Sequence, residues 1–549
     1  MLFRKVAIRS SSSFLRFALA GLLVAGVAAS PAHAATTTYT SPYAGGTIAP
    51  GDAVVLNDGA TITGAITDNG TLQFNQTSGT LTMSSTLTGS GTLSLTNAGT
   101  LMLTGTTVSV GIGLDMTTTV DFGRLLIGNN GGRTLYLGNT NGGVGTLSIN
   151  GGYVGNGSSY LGYGAGGQAL VTVSSGTWSN GSFTYVGWDG SAMLDVPGGS
   201  VSGVTCSIGR NAGSIGSVTV LGGTMSYTSN LTVGDGGTGS LTIGSGGLVA
   251  VRGNVVRGAS GTISLNAGGT LQIGTGTTTG VLLGGTGSLA NNGTVVFNRS
   301  NASTYTGVLS GSGAVTKLGT GQFTLGGANS YTGLTTISGG TLALSGSGSI
   351  GTGGLNLGTT GSPGVFDLAG LTAGTHVLPA TGNLAGVGTL SGSGKSLAVL
   401  GSLAPGNSAG TITVGTGLSL DLSNSGSSVF EIANPAYTAG TFDLVNGSGS
   451  VVFGGILNLA FSGGSYADGT DVLQLFANTG GRSGNFSAVN ATGLASGQSA
   501  TFNPLTGFIT VVPEPSTCAS LIAGAVVAGM MRWRNRRAAP EIVDGSDVR

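Results

Sequence analysis

The sequence predicts an all-β chain wound as a right-handed parallel β-helix, with a C-terminal β cap, an N-terminal signal helix and a C-terminal transmembrane helix. Three observations carry that expectation. Glycine fills 110 of 549 positions and charged residues only 7%, against ~7% and ~25% in ordinary globular chains. Apolar residues still make up 39% with zero formal net charge, a balance that favours a packed chain over a disordered one. Finally, the middle of the chain repeats itself about every 24 residues, the mark of stacked units that cannot bury an apolar face alone.

Residues 1–34 read as a secretory signal. Arg4, Lys5, Arg9 and Arg16 precede an apolar run over 17–29, and Pro31-Ala32-His33-Ala34 supplies small residues at the spacing a signal peptidase accepts. Cleavage is expected between Ala34 and Ala35. The run is short for a membrane span.

Residues 35–424 are assigned to the helical stack. Gly138, Gly162, Gly187, Gly209 and Gly234 each follow an aliphatic residue, at intervals of 24, 25, 22 and 25. The pairs Leu147/Ile149, Val171/Val173, Leu194/Val196, Val218/Val220 and Leu241/Ile243 keep step with them. Ser148, Thr172, Asp195, Thr219 and Thr242 stand between the paired residues. Apolar, polar, apolar is the period of a half-buried strand, and glycine at each corner permits bends that a side chain would obstruct. Stacking at about 4.8 Å makes Tyr136, Tyr160 and Tyr185 an aromatic ladder and the Ser/Thr positions a hydroxyl ladder. A propeller would need ~40–50 residues per blade.

The stretch LTVGDGGTGSLTIGSGGLVAV at 231–251 resembles the repeat shared by type V secretion passengers and PEP-CTERM proteins. GAVTKLGTGQFTLGGANSYTGLTTISGGTLAL at 313–344 resembles the autotransporter-associated β-strand repeat, with a looser copy at 91–107. Both resemblances imply a β-helical stalk, and neither implies a reaction.

Past about residue 425 the period is lost, although alternating strands persist in FEIANPAYTAGTFDLVNGSGSVVFGGILNLAF and VLQLF. Residues 425–511 are therefore expected to cap the solenoid and shield its open edge.

The chain finishes with Pro513-Glu514-Pro515, an apolar run over 519–531, and Arg532, Arg534, Arg536 and Arg537. The prolines cannot continue a helix backwards, and the arginines would hold that end in the cytoplasm. Residues 512–537 resemble the PEP-CTERM sorting signal, and residues 538–549 form a short tail beyond it. That resemblance implies recognition by an exosortase-type membrane transpeptidase, membrane contact through the apolar helix at least transiently, and delivery to the cell surface or extracellular matrix. It also implies exopolysaccharide as a partner.

Little in the mature region suggests catalysis. Without the two ends, nine basic and fourteen acidic residues remain. Only three lysines occur in the whole chain, so a basic nucleic-acid footprint is lacking. His376 has no nucleophile elbow nearby and reads as a surface or turn residue. Cys206 reads as a small buried hydrophobe. No cofactor or metal is expected, because Cys and His are not clustered. β-Helices do host polysaccharide lyases and glycosidases, so an enzyme remains the alternative, but Asp189, Asp195 and Asp235 look like solvated single carboxylates rather than a catalytic pair. Tyr153, Tyr160, Tyr163, Trp178, Tyr185 and Trp188 fall within 36 residues. They read either as core and ladder packing or as a carbohydrate-contacting strip, with Trp178, Tyr185 and Trp188 as its candidates. The leading expectation is a non-enzymatic, exported structural or adhesive rod.

Overall fold

The computed structural model describes residues 35–513, apart from 90, 96, 98, 104–110, 115–116, 121–123, 128–133, 139–140, 284–288, 407–408, 438–439 and 470–472, together with Val526, Ala528, Met530 and Met531. The chain is a parallel β-solenoid. In its middle third each coil lays down three strands, as in Val144–Ile149, Tyr153–Asn156 and Ser159–Leu161, before Gln168–Val173 begins the next. Equivalent strands stack into three faces. The first runs through eleven strands from Thr36–Tyr39 to Gly261–Leu265, the second through eighteen from Thr80–Met83 to Ala488–Thr492, and the third through eight from Gly111–Leu114 to Leu282–Leu283. Beyond residue 300 a new sheet from Ser303–Tyr305 to Phe476–Asn478 joins the second face, and a five-stranded sheet from Thr375–Leu378 to Arg482–Gly484 completes the later coils.

The register is the one the apolar period predicts. Leu147 pairs with Val171, Val171 with Leu194, Leu194 with Val218 and Val218 with Leu241. Each is buried, so the stacked aliphatic rows form one continuous interior. Between them Ser148, Thr172, Asp195, Thr219 and Thr242 also lie in register, on the opposite side of the pleat. Every neighbour along these faces is one coil away, so each coil is stabilised mainly by the coils above and below it.

The corner glycines are required by backbone geometry. Gly187 has φ +78°, and a Cβ there would stand 2.5 Å from the carbonyl oxygen of Ile215. Both conditions exclude an ordinary side chain.

One expectation changes. The parallel stack does not stop at 424, because Ser427–Ile432 pairs with Ile456–Phe461, and that strand with Ala488–Thr492. What changes there is loop length: Thr413 and Asn446, opposite one another, are 33 residues apart. A fixed 24-residue template cannot follow such coils. Closure comes from an antiparallel unit of Leu473–Gln474, Gln498–Asn503 and Phe508–Pro513. Its Phe502 packs on Phe453, Phe476 and Phe486 with ring centroids 5.0, 5.7 and 5.1 Å away.

The two expected helices fall almost wholly outside the described residues. The expected signal helix over residues 1–34 lies outside the described residues. Of the expected transmembrane helix only Val526, Ala528, Met530 and Met531 are described, as helical and exposed. Among the described residues no helix is long and apolar enough to cross a membrane.

Candidate functional site

The third face carries most of the clustered aromatic residues. In strands such as Phe183–Val186 the pleat sends Thr184 and Val186 inward and leaves Phe183 and Tyr185 outward. Tyr136, Tyr160 and Tyr185 are in register on successive coils, with centroids 5.2 and 4.8 Å apart. The turns after Ser159–Leu161 and Phe183–Val186 each add a second ring. Tyr163 lies 4.5 Å from Tyr136, and Trp188 lies 4.7 Å from Tyr160 and 4.6 Å from Tyr185. Tyr163 and Trp188 are themselves near parallel at 6.5 Å, and Phe183, 41% exposed, stacks on Tyr185. The result is a half-buried aromatic strip along the rod axis. Burial raises the phenol pKa of Tyr136, Tyr160 and Tyr185, and neighbouring phenols add to the shift. These hydroxyls therefore stay protonated and able to donate hydrogen bonds at physiological pH.

Of the three rings expected to touch carbohydrate, Tyr185 and Trp188 are in this strip and Trp178 is not. Trp178 stands on the second face between Val154 and Val201 and is 0% exposed. Its Nε1 donates to Asn156 Oδ1 at 2.8 Å, and Asn156 Nδ2 donates to Asn180 Oδ1 at 2.8 Å and to Ser159 Oγ at 2.7 Å. This small internal polar network satisfies the indole N–H, as burial of Trp demands. The alternation in Thr177-Trp178-Ser179 already encodes that inward direction. Tyr153 is in register with Thr177 on the second face.

His376 is not a surface or turn residue. It sits in strand Thr375–Leu378, 8% exposed, with Phe366 edge-on at 5.8 Å. Burial pushes its pKa down to about 4, and its Nε2 has no hydrogen-bond partner. The ring is thus a neutral core group. Cys206 is fully buried, and desolvation pushes its thiol up to about 12, which keeps it protonated and unreactive.

The three candidate carboxylates are engaged singly. Asp189 accepts from Asn211 Nδ2 at 2.8 Å, while Asp235 pairs with Arg210 and accepts from Ser207 Oγ at 3.2 Å. Asp195 stays in the hydroxyl row of the first face, where burial raises its pKa and a hydrogen bond from Thr219 opposes the rise. Among the described residues no group of three His, Cys, Asp or Glu is placed to hold a metal ion.

Several cations serve the backbone instead, a use the sequence did not suggest. Lys317 is 1% exposed and donates to the carbonyls of Leu318 and Gly319 at 2.8 Å and of Gly339 at 3.2 Å. Burial pushes its pKa down to about 8. Arg482 likewise donates to Phe476, Asn478 and Leu505 carbonyls. Each replaces the hydrogen bonds that an irregular turn would otherwise leave unmade.

The processing residues are placed only in part. Ala35 donates its backbone N–H to Asp52 Oδ1 at 3.0 Å and directly precedes the first strand. Pro513 ends the strand Phe508–Pro513 opposite Gln498. Ala34, Glu514, Pro515, Arg532, Arg534, Arg536 and Arg537 lie outside the described residues.

The fold and strip together define a class: a repeat solenoid with few charges, a hydroxyl row on one face and aromatic rings on another. Residues 315–344 match the passenger-associated-transport-repeat family model. That match covers the strands from Ala314–Leu318 to Thr341–Gly346, two successive coils of the stack. No curated protein matches the chain. A passenger-type repeat within a parallel solenoid fits an exported or surface protein.

Proposed function

We propose that the protein is a non-enzymatic structural or adhesive rod, exported and held at the cell surface or in the extracellular matrix, where it contacts exopolysaccharide. The observation that carries this reading is the passenger-type repeat lying within the continuous solenoid. Such a rod acts by geometry: many weak contacts along one axis add through multivalency. Half-buried rings on the third face offer apolar edges and faces for sugar stacking. Export would begin at a signal peptidase cut before Ala35, whose new ammonium group would lie against the Asp52 carboxylate. Sorting would use the Pro513-Glu514-Pro515 tail and an exosortase-type transpeptidase.

Intact-mass measurement on protein from membrane, matrix and cytoplasmic fractions tests the proposal. The expected species begins at Ala35, lacks the segment after the Pro-Glu-Pro motif and is recovered from the matrix. Full-length chain confined to the cytoplasm would refute it.

A further inference from the structure

A concave, polar site lies at the corner between the second and third faces, beyond the aromatic strip. Three connecting loops, 228–230, 252–254 and 278–281, stack there one coil apart and enclose an open groove of about 310 Å³. Asn230 Oδ1 accepts the backbone N–H of Asn254 at 2.8 Å, and Asn254 Oδ1 accepts that of Val281 at 3.1 Å. Each amide is thereby fixed in orientation by its oxygen, while no hydrogen bond among the described residues occupies its Nδ2 donors. The hydroxyls of Thr228, Ser229 and Thr278 complete the lining.

The groove's lining offers hydrogen bonds without an available charge: Arg252, exposed in the 252–254 loop, is not among the lining residues. No carboxylate lines it. Its Arg299 is 8% exposed, and its guanidinium already donates to the carbonyls of Gly280 and Thr278 and to Asn301 Oδ1. A ligand suited to such a lining is neutral, rich in hydroxyls and extended along the axis, since the two amide donors repeat at the coil spacing of about 4.8 Å. The strip points to the same axis. Its outward row runs from Tyr185 through Ser207 to Thr232, two residues past Asn230, so the groove begins about 10 Å along the rod from the last ring.

We infer that this groove is a second carbohydrate subsite, which takes a neutral polysaccharide segment on the track that the aromatic strip begins. The choice of ligand class rests on the carbohydrate reading of the strip; the site itself rests on the fixed asparagines.

Affinity electrophoresis of the secreted chain through gels containing hydroxyethylcellulose, galactomannan or alginate separates the possibilities. Asn230→Asp with Asn254→Asp keeps both Oδ1 acceptors and removes the Nδ2 donors. Ser229→Ala with Thr278→Val removes hydroxyls that hold no other part of the chain among the described residues. Both double variants are expected to keep the wild-type melting temperature and to bind a neutral polysaccharide about tenfold more weakly. Trp188→Ala reports on the strip separately. Unchanged retardation of both groove variants overturns the subsite, even where Trp188→Ala weakens binding. Loss in the groove variants with none in Trp188→Ala sinks the strip reading and keeps the groove. Wild-type retardation by alginate alone, or by no gel, refutes the neutral-glycan assignment.

Discussion

Trp178 and Trp188 are ten positions apart, yet one fills the core and the other lines the surface. The difference is parity within the coil: Trp178 falls between outward-facing Thr177 and Ser179 on a strand, whereas Trp188 follows the corner glycine and folds back over Tyr185. Trp178→Ala should destabilise the middle coils by about 3–5 kcal/mol, because it leaves a cavity and strips Asn156 Oδ1 of its donor. Denaturant melts followed by Tyr and Trp fluorescence check this. His376 supplies a pH signature. Its pKa is lowered to about 4 from 6.5, so between those values the unfolded chain takes up a proton that the folded chain refuses. Stability from this group is complete above pH 6.5 and is lost as pH falls toward 4, by about 3 kcal/mol. Asp443, raised to about 6 by burial and the nearby Glu431 charge, works in the opposite sense, gaining stability as pH falls from 6 toward 3.8. Comparing wild type with His376→Leu by denaturant titration at pH 7 and 4.5 isolates the histidine: the variant's stability should change less unfavourably on acidification. The inward turn of His376 was not legible, because Thr-His-Val-Leu alternates without saying which parity faces the core. The Asn230 and Asn254 pair was legible only as a spacing of one coil, since a sequence does not reveal that each amide oxygen accepts a backbone N–H of the next coil.

At the scale of elements, the corner glycines set what each coil tolerates. Gly187→Ala meets both a left-handed φ and the Ile215 carbonyl, whereas Gly213→Ala meets a left-handed φ of +85° and open space. The second should cost about 1–2 kcal/mol, and the first clearly more, since backbone of the next coil must also move. Thermal unfolding of the two variants gives the comparison, and equal losses would mean that the close approach is not felt. The first- and third-face strands were legible because their apolar residues recur beside a glycine or a polar partner. The second-face strand, Thr177–Asn180 and its equivalents, was less distinct: its inward residues are Val, Trp, Val and Met on successive coils. The later coils escaped for a different reason. Their strands pair in register, but loops of varied length erase the period, and pairing is read from coordinates rather than spacing.

For the whole molecule, a solenoid predicts locality. Phe502→Ala should loosen the closing antiparallel unit and speed amide exchange in Phe508–Pro513 by tenfold or more, on the order expected for a partly buried ring. Amides in Val144–Ile149, many coils away, should exchange as before. Uniform acceleration would point to a single cooperative body instead. The most direct test of the central architecture is a set of spin-label distances along the outward row of the first face, which runs in register from Thr38 through Ser94 and Ser148 to Ser264. Labels at Ser264 paired in turn with Ser148, Ser94 and Thr38 should lie about 24, 34 and 48 Å apart, rising by about 4.8 Å for each coil crossed. Distances that fail to grow with coil number, or that fold back as they would across hairpins, would contradict the parallel stack on which the rod and its binding track depend.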